Sequence, residues 1–384
     1  MPAAVIEKIS PLPFSKQTEK INREKYTRAL SGEKKVLVNA EWPAARGVSQ
    51  EDMYRDQETE FYHMIASYNQ MAEAAQAGFD NIPAASSCGG IAYMMALAYG
   101  CEMHIGNGLV TALVKYNSIE DAKNFTAISD IENYGLYPLV LKRIGDFQKR
   151  YPQVPLGIPD NQSPVNVLTS VMKSDEAMVA MFTDQELIRG FLAALTDSII
   201  RINIILKERI TNFAGFKNNK WLPFGIHCAD DNAAFLSPEI YREFAMPYVQ
   251  KLSDTFGGID LHCCLQYDQN LANMTGMGGF LEFDPQVFLN PLDTIISSLK
   301  KNNRGGVWHV FNYPWGIEKN RQIPDLDMYK MIIDRTEGLC ALKCTCFSEK
   351  KDEALRLAEK VKSYAIGKNR NFQESSCPEG HPKP

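Results

Sequence analysis

The sequence predicts an α/β protein built as a (β/α)8 TIM barrel with an N-terminal helical extension, and three observations carry that expectation. Short apolar runs alternate with longer helical patterns along most of the chain, the mark of parallel strands joined by crossover helices. No G-x-G-x-x-G or Walker-type turn follows the first strand candidate, which removes the usual sign of an open nucleotide-binding sheet. Polar and metal-capable residues gather at the C-terminal ends of several strand candidates, and in a closed barrel those ends share one mouth.

The elements follow in order along the 384 residues. Residues 1–33 read as a polar arm whose stretch SKQTEKINREKYTRAL forms a helix, residues 34–366 as the barrel, and residues 367–384, rich in Pro, Gly and Ser, as a flexible tail. Within the barrel the strand candidates are KKVLVNAEW (Lys34–Trp42), VPLGIPD (Val154–Asp160), LPFGIHCADD (Leu222–Asp231) and GGIDLHCC (Gly257–Cys264). GGFLEFDP (Gly278–Pro285), GGVWHVFN (Gly305–Asn312) and GLCALKCTC (Gly338–Cys346) complete the set. Helices are expected between them in SPEIYREFAMPYVQKLSDTF, where Ser237 is the N-cap and Pro238 the first helical residue, in PLDTIISSLKKN, and in EKKDEALRLAEKVKSYA. The Met-rich AYMMALAYG reads as a buried helix.

Composition narrows the function. A formal net charge of -5 lacks the concentrated basic surface that phosphate backbones require, so no nucleic-acid partner is expected. No apolar run reaches the roughly 18 to 20 residues that span a bilayer, and the N-terminus lacks an apolar signal-peptide core, so the expectation is a cytoplasmic protein without a membrane partner. Nine cysteines without a secretion signal argue against a disulfide framework and raise the question of thiolate or metal chemistry. Cys377 and His381 in the tail have no neighbours that would complete a coordination shell.

His262 and Cys264 stand two apart in one strand, so their side chains share a face, and at a strand end both can grip one divalent ion. A third ligand from the last strand would make a His, Cys, Cys set with an open fourth position, the arrangement of a catalytic zinc. In CALKCTC, residues Cys340, Leu342, Cys344 and Cys346 share one face, so spacing alone does not separate Cys344 from Cys346, while Cys340 enters the strand too early. Around this site Asp230 and Asp231 are expected as acid/base or orienting groups, and Glu282 as a fourth ligand or a partner to one. Asn161 and Asn312 are expected on the cofactor side, with Tyr313 and Trp315 lining the pocket. His309, on the same strand face as Phe311, is expected to be structural, and His104 and His227 to serve the core or to support ligands.

The run DDNAAFLSPEIYREFAMPYVQKLSDTFGGIDLHCC resembles the uroporphyrinogen decarboxylase superfamily: a strand ending in acidic residues, an LSPE-type helix start, then a strand ending in H-x-C. The likeness extends more weakly from about Lys34 to Ala365, through YGCEMHIGNG and, loosely, NQSPVNVLTSVMKSDEAM. Where decarboxylases of the superfamily carry an RQAGR-type arginine stretch, this chain has VNAEWPAARGVS with Arg46 isolated, which disfavours a substrate bearing many carboxylates. The H-x-C with a later Cys is similar to the zinc-containing, cobamide-dependent methyltransferase branch, and lining up the C-terminal helix SEKKDEALRLAEKV favours Cys344 as the third ligand. That resemblance implies a zinc-dependent corrinoid methyltransferase, with O-demethylation of a small methoxylated aromatic favoured over methyl transfer to a thiol of the coenzyme M type. It implies Zn2+ and a corrinoid (cobalamin) carried by a partner protein, since the D-x-H-x-x-G cobalamin sequence is absent. A metal-free decarboxylase and a noncatalytic binding barrel are the rivals, and a homodimer is an open expectation.

Overall fold

The computed structural model describes residues 9–375 except 34, 46, 88–90, 218–219, 303–305 and 313–323, with the side chains of residues 369–375 also outside the described set. Among the described residues ten strands are seen: β1 (Val36–Glu41), β2 (Glu102–Gly106), β3 (Leu109–Leu113), β4 (Leu156–Gly157), β5 (Phe213–Gly215), β6 (Ile226–Ala229), β7 (Ile259–His262), β8 (Phe280–Phe283), β9 (Val307–Phe311) and β10 (Ala341–Phe347). Six of them form one parallel sheet in the order β1-β10-β9-β8-β7-β6. From β6 to β10 the sheet steps one strand at a time with helices between, the order expected of a barrel wall.

The gap between β6 and β1 is spanned more sparsely. The parallel pair β4–β5 joins β6 through bridges at Phe216–Ile226 and Gln162–Ala229. On the other side, Ala85 bridges Leu156, and the Asp80 amide donates to the Val38 carbonyl of β1 at 2.8 Å. These links carry the ladder round as single bridges rather than as a continuous eight-stranded sheet. The chain is thus α/β with the parallel order of the expected barrel, and its seven strand candidates coincide with β1, β4, β6, β7, β8, β9 and β10.

The helix Lys16–Leu30 closes the N-terminal end. Ser15 caps it, and its Tyr26, Ala29 and Leu30 pack with Leu37, Leu222, Leu281, Val307 and Ala341 in a small apolar cluster at the base of the strands. The helix after β10 runs Lys351–Ser375, so the expected tail is helical well past Gly367, and Cys377 and His381 lie outside the described residues. The Met-rich segment is the buried helix Met94–Ala98.

Two features were not expected from the sequence. β2 and β3 form an antiparallel hairpin, turned by Asn107 (φ 53°) and Gly108 (φ 77°), both left-handed as a type I′ turn requires. Its His104 is exposed on the hairpin instead of serving the core. Between β5 and β6 the chain doubles back, the Leu222 amide donating to Ala214 at 2.9 Å, and the fold-back presses the backbone of Lys217 onto β4. A Cβ at Gly157 would lie 2.2 Å from the Lys217 carbonyl oxygen. Gly157→Ala is therefore expected to lower unfolding free energy by about 1–3 kcal/mol, measured by urea denaturation. A change below about 0.5 kcal/mol would mean the loop is not fixed there.

Candidate metal centre and active-site cavity

The C-terminal strand ends open on a cavity of about 830 Å³. It is lined by Asp160 after β4, His227 and Asp231 from β6 and its exit, His262 and Cys264 from the end of β7, Asp284 after β8, and His309 and Phe311 of β9. Lys217 and Lys220 from the fold-back line it too, and Ala112 and Val114 give it an apolar side.

Among the described residues, Asp231, His262 and Cys264 form the group able to hold a metal ion, their donor atoms all within 4.8 Å of one another. His262 Nε2 lies 2.8 Å from Cys264 Sγ. The other ring nitrogen, Nδ1, donates to Asp284 Oδ2 at 2.5 Å, and Asp284 Oδ1 accepts from the Cys263 amide at 3.3 Å. A carboxylate on Nδ1 fixes the ring and leaves Nε2 for a ligand, as metal-binding histidines are usually held. Asp231 is steadied by the Cys264 amide, which donates to its Oδ1 at 2.8 Å, and by Asn166 Nδ2 at 3.3 Å. Burial alone disfavours the His262 imidazolium, but Asp284 and then Cys264 outweigh it and raise its pKa in the metal-free protein. One oxygen, one nitrogen and one sulfur donor, all partly exposed to the cavity, suit a zinc ion with an open position.

Cys344, the expected third ligand, is not brought to this group. In β10, Lys343 reaches the Glu282 carboxylate and Thr345 the His309 ring at 2.8 Å, so these odd-numbered residues face the barrel interior. Alternation then turns Cys344 and Cys346 toward the helix layer, where both are fully buried, and burial pushes both thiols up. Neither forms a metal-capable cluster among the described residues, and the third donor seen beside His262 and Cys264 is Asp231.

The other expected site residues separate similarly. Glu282 lies beneath the cavity in a buried ion cluster: it accepts from Lys217 Nζ at 3.0 Å, from Lys343 Nζ and from the Tyr26 hydroxyl. It is therefore no ligand of the group at the mouth. Asp230 is fully buried, accepting from Ser163 Oγ at 2.6 Å and from the Tyr241 hydroxyl at 2.7 Å, and burial raises its pKa. It fixes the β6 exit and the wide helical turn Tyr241–Ala245 without lining the cavity. Asn161 exchanges hydrogen bonds with Asn203 at 3.0 and 3.2 Å. Asn312 clamps the ends of β9 and β10, accepting from the Phe347 amide at 2.7 Å and donating to Asp325 at 2.6 Å. Neither asparagine lines the cavity, and Tyr313 and Trp315 lie outside the described residues.

His309 is buried against Thr345, as expected, and also reaches the cavity floor. His227 Nδ1 donates to Asp260 Oδ2 at 2.9 Å while its ring lines the cavity, 6.3 Å from the ring of His262. Sequence reasoning places Asp284 among the metal-capable strand-end residues of the mouth without a specific role, and gives Lys217 and Lys220 none. Asp284 follows H-x-C by one strand and is legible as a strand-end carboxylate, whereas the lysines sit in a loop without a motif.

The profile of the uroporphyrinogen decarboxylase (URO-D) family matches residues 22–290. The chain belongs to that family. No curated protein matches this URO-D chain by sequence. Among solved structures, a methyltransferase from Methanosarcina mazei superposes with a TM-score of 0.63 at 14% identity, covering 90% of this chain and 98% of the other, a likeness of fold. SacUVDE aligns with a TM-score of 0.37 at 11% identity over 85% of this chain and 96% of its own. No helix among the described residues is long and apolar enough to cross a membrane.

Proposed function

We propose that this URO-D family chain is a zinc-dependent methyltransferase that moves a methyl group between a small substrate and a corrinoid carried by a partner protein. The observation that carries the proposal is the juxtaposition of Asp231, His262 and Cys264 at the mouth, with Asp284 behind His262. These three residues would hold the ion, which in such a site supplies Lewis-acid activation of the substrate's heteroatom. Corrinoid cobalt would supply the methyl-carrying chemistry. The chain's residues do the positioning: Asp284 holds the His262 tautomer, and the Cys264 amide and Asn166 orient Asp231.

A methoxylated aromatic donor is favoured and a thiol acceptor is the alternative, since an open cavity with apolar and aromatic lining suits a flat ring. A porphyrinogen decarboxylation is less well supported, because among the described residues no arginine lines the cavity. Purified protein is expected to carry about one zinc per chain. With cob(I)alamin and a panel of methyl aryl ethers, the methylcobalamin absorption spectrum should appear only with metal-loaded protein. Zinc-free protein after growth with ample zinc, together with no transfer from any ether or to any thiol, would rule the proposal out.

A further inference from the structure

The cavity is electrically polarised. Asp160 stands in the field of His227, His262 and Asp231 at the metal end, whereas His309 stands in the field of Lys343, Lys220 and Lys217 first and of His262 after them. Three lysines thus gather at the floor, and two carboxylates answer them. Asp260 pairs with Lys217, and Glu282 pairs with both Lys217 and Lys343. Lys220 is the cation without an ion pair among the described residues: it is partly buried and lines both the cavity and the cleft that Tyr26 and Lys343 share with Glu41 and with Asp80, the latter already paired with Lys25.

A half-buried ammonium without a counter-charge gives up hydration without return, and a ligand oxyanion restores the balance. We infer that Lys220 anchors a single anionic group of the substrate, a carboxylate, sulfonate or phosphate, while the substrate's reacting heteroatom faces Asp231, His262 and Cys264. The inference rests on the proposed function for the reacting end alone. One surplus cation matches one oxyanionic group: a substrate bearing several such groups would meet the carboxylates of Asp160, Asp231 and Asp284 at the metal end. Lys217 lines the same floor but is already committed to Asp260 and Glu282, so it adds field rather than a free donor. The Gly157 contact, which holds the Lys217 backbone against β4, keeps Lys217 at the floor.

The test is calorimetric titration of the full chain, zinc-loaded and metal-stripped, with matched probes. One set is 3-methoxybenzoate, 3-methoxybenzenesulfonate and 3-methoxyphenyl phosphate against neutral 3-methoxybenzyl alcohol. The other is 3-mercaptopropionate and 2-mercaptoethanesulfonate against neutral 2-mercaptoethanol. At least one anionic probe is expected to bind about tenfold to a hundredfold tighter than its neutral counterpart, the range of a charge-assisted hydrogen bond. Lys220→Gln should erase that preference without changing the melting temperature, and Lys220→Arg should restore most of it. The tightest oxyanion names the acid class. If the metal reading fails and this one holds, the protein binds no zinc yet keeps a Lys220-dependent preference in the stripped form. If zinc binds but charged and neutral probes bind alike, or the preference survives Lys220→Gln, or no probe binds at millimolar concentration, the anion site is overturned.

Discussion

His262→Ala and Cys264→Ala should each reduce zinc from about one equivalent to a level a chelator strips at once, while Cys344→Ala should leave zinc content unchanged. The contrast follows from which faces of two strands meet. His262 and Cys264 present Nε2 and Sγ 2.8 Å apart at the cavity, whereas Cys344 lies on the opposite face of β10 from Lys343 and Thr345. Losing one donor of three leaves a two-point site for an ion that takes four ligands, and water fills the rest at a cost of orders of magnitude in affinity. Asp284→Asn keeps all three donors but weakens the hold on the His262 tautomer, so its loss is smaller, about 10- to 100-fold. Chelator competition with a zinc-sensitive dye gives all four dissociation constants. Undiminished affinity in Cys264→Ala, or a loss in Cys344→Ala as large as in His262→Ala, would return the third ligand to β10.

Why the sequence led to Cys344 is instructive. Its alternation was legible, since Cys340, Leu342, Cys344 and Cys346 share one face, but alternation does not say which face looks inward. A lysine between apolar residues reads as the solvent-facing exception, and here Lys343 is inside because Glu282 from β8 waits for it. That pairing joins residues 61 apart, and no local pattern encodes it. The strands themselves were legible because buried parallel strands are continuous apolar runs bounded by glycines. The hairpin of β2 and β3 carried its own signal, Asn107-Gly108 between apolar residues, and it went unread. His262, Cys264 and Asp231 were visible as strand-end residues. Lys217 and Lys220 were not, since a loop doubling back between β5 and β6 has neither periodicity nor motif. Asn312 was read as a cofactor contact from its place after β9, yet its amide is consumed in joining that strand to the end of β10 and to Asp325.

The same buried cluster yields the largest expected effect on stability. Glu282 is 1% exposed and serves two ammonium groups and the Tyr26 hydroxyl, so Glu282→Gln leaves Lys217 and Lys343 facing only Asp260. Removing one partner of a buried charge network costs about 3–5 kcal/mol, because the stranded cation keeps its desolvation penalty and loses its return. Adding Lys343→Met restores one carboxylate to one lysine, and the double variant should recover part of the loss, a coupling that urea denaturation measures as a cycle. The pH dependence has a definite sign. Burial holds Lys343 at about 8, although Glu282 opposes the shift. The unfolded chain binds that proton up to roughly pH 10.4, so between about 8 and 10.4 the unfolded state carries more protons and stability from this group rises with pH. Without Glu282 the folded pKa falls further, so the same gain begins at lower pH, and the deficit of Glu282→Gln relative to the parent should be largest below that lowered pKa, shrink up to about pH 8 and stay level from there to about pH 10. A deficit under about 0.5 kcal/mol at pH 7, or one that grows with alkalinity, would mean that Tyr26, Lys217 and Lys343 do not depend on Glu282 for their place at the base of the cavity.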